Sequence, residues 1–311
     1  MRLAVGAIAA ASLFFLTHAS PAFSQWLPLQ GEGTLRLTYE QQRGGDHLFS
    51  SDAVDGQTSR GYTASGDRWF LGRTSGYTLM VEADYGWTDR IATEASIAFV
   101  ATKYEGRAPL GTLDDGNIHG TFQDFGIDVS YLLLERMVVI IPSLGATLPV
   151  TRYERDSHAA PGRRLREARV GVDAGLPVVM RTFGVQFGVR HAFLEDIGPL
   201  DLSRNEVSAT VSLRLGGRAL AAIGANHQRV IGGLDWIPEE GDPDLHDPAA
   251  SDVDLAGSAS RITRGTFSLT WLLGHRTDVQ VGWLPTLDGE NTEDADLFTL
   301  SLRRGFGDSG G

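Results

Sequence analysis

The sequence of 311 residues contains no cysteine, which excludes disulfide bonds and thiolate metal sites. After the first two dozen residues it also lacks any long apolar run. Because a membrane-spanning helix needs about 20 consecutive apolar residues, the rest of the chain could cross a bilayer only with strands. A formal net charge of −12 disfavours nucleic acid as a partner.

The N-terminal residues predict a secretory signal peptide. Arg2 provides the positive start, residues 3–16 a short apolar region, and Ala22-Phe23-Ser24 a small-x-small cleavage site. The apolar region is too short for a stable membrane span. We therefore expect residues 1–24 to be removed on export.

Alternation of polar and apolar residues with a period of two predicts strands of about ten residues, the length that a tilted strand needs to cross a bilayer. In residues 206–215, even-numbered polar positions alternate with odd-numbered apolar ones throughout. Twelve such segments can be counted, at 34–40, 77–87, 91–104, 121–134, 138–149, 165–175, 183–193, 206–215, 219–228, 262–273, 277–286 and 296–306. A helix would scatter these residues around its circumference, whereas a strand sorts them onto two faces.

The connections alternate between short turns and long polar loops, the longest at 41–75 and 229–261. Outer-membrane barrels show this pattern, with short turns in the periplasm and long loops outside. Aromatic residues fall near both expected rims: Tyr39, Tyr77, Phe99, Phe193, Trp283 and Phe298 near the outer one, and Tyr85, Trp87, Tyr131, Phe183 and Phe306 near the periplasmic one. The strands of a secreted β-sandwich would also show alternating polar and apolar residues, but the loop lengths and the aromatic girdles favour the barrel.

The predicted architecture is an all-β, antiparallel, up-and-down transmembrane β-barrel of about twelve strands in the bacterial outer membrane. A signal peptide at 1–24 precedes the barrel at 25–306, a flexible tail follows at 307–311, and both termini lie in the periplasm. The expected partners are outer-membrane lipid, lipopolysaccharide, a small solute, and the barrel assembly machinery, which would recognise the last strand.

Three strings resemble a known group of proteins. They are YGWTDR at 85–90, KYEG at 103–106 and DDGNIHGTFQDF at 114–125. They look like a group of bacterial outer-membrane barrels that is similar to the transporter-like proteins of the meta pathway of phenol degradation. The resemblance implies a barrel associated with uptake of small, often hydrophobic or aromatic, compounds, and it implies no particular binding residues.

No arrangement of residues indicates catalysis. Residues 307–311 read GDSGG, as around the nucleophile of chymotrypsin-like proteases, but only two residues follow the serine, so we expect a flexible tail. None of the predicted strands contains the His-x-Ser of the membrane phospholipase, and Glu82 and Asp84 match only half of the site of barrel proteases. We expect no enzyme activity, cofactor or metal site.

The loop at 229–261 carries eight acidic residues, yet residues 242–247 lack the turn glycine and the distal glutamate of a calcium loop. We expect a solvated loop that avoids lipopolysaccharide or touches it through divalent ions.

The parity of the strands places a set of charged side chains on the inner face, where charges must meet water or each other. These predicted lumen residues are Glu82, Asp84, Glu94, Asp124, Asp128, Arg169, Arg190, Arg214 and Arg303, accompanied by Glu167, Asp173 and Glu206. Acidic and basic walls across a water-filled lumen would orient a permeating solute. Alternatively, the arginines reach the carboxylates and fill the lumen. The first arrangement predicts a channel for a small solute, and the second a non-conducting barrel that anchors a partner or a complex.

Overall fold

The computed structural model describes residues 27–48, 68–69, 72–106, 111–154, 157, 159–179, 183–196, 202–231, 260–290 and 292–307. Twelve long strands make up most of them: β1 (Gly33–Leu48), β2 (Gly72–Thr88), β3 (Ile91–Gly106), β4 (His119–Tyr131), β5 (Val139–Pro149), β6 (Glu167–Val179), β7 (Phe183–Leu194), β8 (Ser203–Leu215), β9 (Ala219–Ile231), β10 (Arg261–Leu272), β11 (Thr277–Leu284, continuing as Thr286–Glu290) and β12 (Thr292–Phe306). Two-residue strands at Arg68–Trp69 and Leu134–Glu135 pair with β1 and β5. No helix among the described residues is long and apolar enough to cross a membrane.

Each strand pairs in antiparallel fashion with its neighbour in the sequence, and β12 pairs with β1 to close the sheet. The closing ladder runs from Gly33 opposite Phe306 to Leu48 opposite Thr292. Among the described strands closure leaves no free edge, so backbone amides are paired within the barrel wall. The predicted twelve-stranded up-and-down barrel is therefore confirmed.

Alternate residues along each strand face outward and inward. On β8, Val207 is 48% exposed and its neighbour Glu206 only 4%. The outward face is apolar, and aromatic side chains meet across strands at the outer rim, as Tyr39 and Tyr77 do with ring centroids 6.5 Å apart. At the other rim, Tyr85 and Trp87 on β2 meet edge to face with ring centroids 4.9 Å apart. Such an exterior fits lipid, whereas the polar side chains line the interior.

Some strand boundaries differ from the prediction. The strand β1 continues to Leu48, and β2 already begins at Gly72. The first long loop is therefore shorter than the predicted 41–75. A β-bulge between β3 and β4 shifts the alternation, which turns Phe122 outward and leaves both Gln123 and Asp124 buried. Such an extra residue cannot be read from a strict period of two.

The strand β11 is interrupted at Pro285, which has no amide hydrogen to give to the ladder. Its carbonyl oxygen still accepts a hydrogen bond from the Gly265 amide at 2.9 Å. The signal peptide, residues 308–311 and most of the acidic loop lie outside the described residues.

Closure predicts a simple biochemical result. A folded barrel should resist detergent, because every strand is held on both sides by backbone hydrogen bonds. On a gel in mild detergent, the unheated protein should therefore migrate differently from the boiled protein. Equal mobility of the two samples, together with solubility in the absence of detergent, would contradict a membrane barrel.

Candidate functional site

The charged side chains of the inner wall pair along the wall, between strands that are neighbours or next neighbours. Arg169 on β6 donates to Asp128 on β4 at 2.6 Å and to Glu167 on its own strand at 3.3 Å. Glu167 in turn accepts from Arg204 on β8 at 2.6 Å. These four residues form a continuous chain of charge-assisted hydrogen bonds across β4 to β8.

Small residues on the strands in between make this pairing possible. Gly145 lies between Asp128 and Arg169 in register, and a side chain at Gly145 would collide with the Asp128 carboxylate. Ala192 occupies the same place between Arg169 and Arg204. The charged side chains can therefore lie flat against the wall.

Glycines support the next pair in the same way. Arg190 on β7 donates to Asp173 on β6 at 3.3 Å. The Arg190 side chain rests against Gly171, and the Asp173 side chain rests against Gly188. This pair extends the charged surface along the wall from β6 to β7.

A second group of charges lies on β1, β2, β11 and β12. Arg303 donates to Asp278 through Nη2 at 2.6 Å and through Nε at 2.9 Å. Arg36 approaches Glu82 to 3.5 Å. Asp84 accepts hydrogen bonds from the Thr34 amide at 2.8 Å and from its hydroxyl at 2.5 Å. All of these contacts join adjacent strands.

The structure brings most of the predicted lumen residues together. Glu94 lies in register between Asp84 and Asp128, so three acidic residues follow one another around the wall. Arg214 is placed differently, because it donates to the carbonyl oxygens of Gly216 and Gly217 at 3.1 and 3.4 Å in the turn between β8 and β9. Sequence reasoning did not single out Arg36, Glu40, Arg204, Arg264 and Asp278, although parity alone assigns these residues to the same face.

The described residues of the connection between β5 and β6, 150–154, 157 and 159–166, fold against the barrel wall and are called the inward loop here. The Thr102 hydroxyl donates to the Ala159 carbonyl oxygen, and the Gln123 amide nitrogen donates to the Pro161 carbonyl oxygen at 2.7 Å. The Tyr153 hydroxyl donates to Asp124 at 2.8 Å. The inward loop thus narrows the end of the barrel that carries the long loops, and it holds Asp124 there.

Residues 27–32 lie at the opposite end, where the turns are short. The Gly31 amide donates to the Gly86 carbonyl oxygen at 2.9 Å, and the Gly86 amide donates to the Glu32 carbonyl oxygen at 2.8 Å. A side chain at Gly86 would collide with the backbone of this segment. Leu27 packs on a buried cluster of Leu132, Val139 and Ile141, so the segment extends from the start of β1 to β5.

The inner wall is also apolar in one region at the long-loop end. Leu165, Ala192, Leu194, Leu202 and Val230 form a buried cluster there. The positions of Ala192, Leu202 and Val230 alternate with outward-facing residues, so they belong to the inner face. The predicted lumen residues were all charged, and sequence reasoning did not single out this apolar cluster.

The arrangement can bind and orient a solute by charge and by apolar contact. Among the residues described above, no group of three or more histidine, aspartate or glutamate side chains is placed to hold a metal ion.

No family model and no curated protein matches the sequence. The crystal structure of an outer-membrane channel from Pseudomonas putida F1 is similar, with a TM-score of 0.64 at 15% identity over 92% of this chain and 99% of that chain. The β domain of the Bordetella autotransporter BrkA gives a TM-score of 0.49 at 10% identity over 89% and 100% of the two chains. The toluene transporter TodX from P. putida gives a TM-score of 0.43 at 9% identity over 89% and 91%. The first likeness supports the fold that the strand ladders show, an outer-membrane type of barrel.

Proposed function

We propose that the protein is an outer-membrane channel that passes a small solute without covalent chemistry. In this proposal the signal peptide directs export, and the short-turn end with both termini faces the periplasm. The channel from P. putida F1 has the same fold, which makes conduction compatible with this architecture.

The observation that carries the proposal is the direction in which the charged side chains of the inner wall point. An eight-stranded barrel is filled by its own side chains, whereas one of 16 strands leaves an aqueous channel. A twelve-stranded barrel lies between these cases, so the orientation of its inward side chains decides whether the lumen is open. Here Asp128, Arg169 and Arg190 lie along the wall over glycines, and side chains that lie flat leave the barrel axis to a solute.

The solute must pass the inward loop and the apolar cluster as well as the charged wall. A compound with an apolar body would contact Leu165, Leu202 and Val230 favourably. The charged chain further along the wall would select among such compounds by their polar groups. This order favours small, largely hydrophobic solutes.

The alternative is a non-conducting barrel that anchors a partner through its long loops. The inward loop favours it, because its contacts to Asp114, Gln123 and Asp124 close part of the long-loop end. The two functions differ in one measurable property, the flow of ions through the lumen.

Planar-bilayer recording on refolded protein tests the proposal. The parent protein should conduct, and Arg190→Ala should shift the reversal potential in a salt gradient toward cation selectivity, because it removes a positive charge from the lumen. Its side chain is 23% exposed and has one ion pair at 3.3 Å, so the variant should still fold.

Arg229→Ala is the matched control, since Arg229 is exposed on the outward face of β9. It should leave selectivity unchanged. A folded parent protein without measurable conductance would exclude the channel and favour the anchoring role.

A further inference from the structure

Arg163 on the inward loop is a half-buried cation whose donors are incompletely used. Its Nη2 atom makes one long contact, 3.5 Å, to the Ser260 hydroxyl. Its Nε and Nη1 atoms are shielded from solvent and have no hydrogen-bond partner among the described residues. A buried donor without an acceptor is costly, and the cost is larger for a charged group. The position therefore favours an acceptor that the described residues do not supply.

The electrostatic surroundings favour a negative charge at this place. Burial, and after it the positive charge of Arg204, lower the pKa of Arg163 to about 10 against the opposing effect of Glu167. Glu167 itself already accepts hydrogen bonds from Arg169 and Arg204. Arg163 is thus left beside another arginine, while the Glu167 carboxylate, which attracts it, is hydrogen-bonded to other partners.

The apolar cluster lies directly beside these arginines. Arg204 is in register with Ala192 on one side and Val230 on the other, and Leu202, two residues before Arg204, directly precedes the strand β8. Leu165 follows Arg163 by two residues on the inward loop and belongs to the same cluster. Ser260, the contact of Arg163, accepts a hydrogen bond from the Val230 amide at 2.8 Å through its carbonyl oxygen. A guanidinium with unused donors therefore lies at the border of an apolar surface.

We propose that Arg163 and the apolar cluster of Leu165, Ala192, Leu194, Leu202 and Val230 form a binding site for a small organic carboxylate. The carboxylate accepts hydrogen bonds from Arg163, and the apolar body of the ligand packs on the cluster. The inference deepens the proposed function, on which it rests for the view that the ligand is a permeating solute. Because Nε and Nη1 are enclosed, the carboxylate reaches them when the inward loop shifts from its contacts with Thr102 and Gln123.

Calorimetric titration of the folded full chain in detergent tests the site with benzoate and hexanoate as probes. Both should bind saturably. Benzamide, which has the shape of benzoate without its charge, should bind at least tenfold more weakly, and so should acetate, which lacks the apolar body. Equal binding of benzoate and benzamide, or no saturable binding of either carboxylate probe, would overturn the proposal.

Variants separate the two parts of the site. Arg163→Gln should weaken benzoate binding at least tenfold, whereas Arg166→Gln, an exposed arginine on the same loop, should leave it unchanged. Val230→Thr keeps the shape of the side chain and should weaken benzoate more than acetate. Unchanged benzoate binding by Arg163→Gln would refute the site. If that variant does not show the gel shift of a folded barrel, the comparison of benzoate with benzamide on the parent protein still tests whether the site binds a carboxylate.

The titration is independent of conductance. A barrel that conducts but does not bind the carboxylates keeps the proposed function and loses this inference. A barrel that binds them without conducting loses the channel and keeps the site.

Discussion

Replacing Arg169 with alanine should lower the free energy of unfolding by about 3–5 kcal/mol, the range expected when one partner of a buried ion pair is removed. Arg169 holds two carboxylates, Asp128 at 2.6 Å and Glu167 at 3.3 Å, and its side chain is only 10% exposed. Without the guanidinium, within the part of the chain that the structure describes, Asp128 loses its ion-pair partner and Glu167 keeps the pair with Arg204 alone. Urea unfolding in lipid vesicles, monitored by tryptophan fluorescence, measures the change.

Arg190→Ala is the comparison, because Arg190 has one ion pair at 3.3 Å and a more exposed side chain. Its cost should be clearly smaller than that of Arg169→Ala. If the free energy of unfolding fell by less than about 1 kcal/mol in both variants, as expected for exposed ion pairs, the charged chain would be hydrated throughout. It would then contribute little to the stability of the wall.

Val211→Arg should cost about 2–4 kcal/mol, the penalty for an arginine on the lipid face near the bilayer midplane. Val211 is exposed on the outward face of β8, between Ala209 and Leu213. A charge there would be taken from water into hydrocarbon without a partner. Urea unfolding in vesicles of uniform bilayer thickness measures the loss of unfolding free energy.

Met137→Arg provides the matched control, since Met137 is 87% exposed in the turn between β4 and β5. The same new charge should cost close to nothing at that position. Equal stability of Val211→Arg and Met137→Arg would mean that the outward face of β8 does not contact lipid.

The barrel could be predicted from sequence because its wall obeys one short rule, the alternation of inward and outward side chains. Glu206 and Val207 illustrate it, and the structure places them on opposite faces as expected. The rule fails at the bulge opposite Ala98, where Gln123 and Asp124 both turn inward. An extra residue in one strand depends on the register of its neighbour, which no single segment encodes.

The candidate site was harder to predict, because it depends on contacts between distant segments. The sequence 150–166 looks like any polar loop with Pro161 and Gly162, and nothing in it shows that Ala159 accepts a hydrogen bond from Thr102. The pairing of Asp128 with Arg169 likewise requires a glycine on the strand between them. Parity assigns each charge to the inner face, but only the stagger between strands decides which charges meet.

The ladder between β1 and β12 gives the folded protein kinetic stability. The first and the last strand pair along almost their whole length, so the barrel has no loose end from which strands could peel away one after another. Opening it anywhere breaks many backbone hydrogen bonds at once, which raises the barrier to unfolding more than the equilibrium stability alone would indicate. Once the two termini have joined, the lifetime of the folded state is set by a single cooperative rupture.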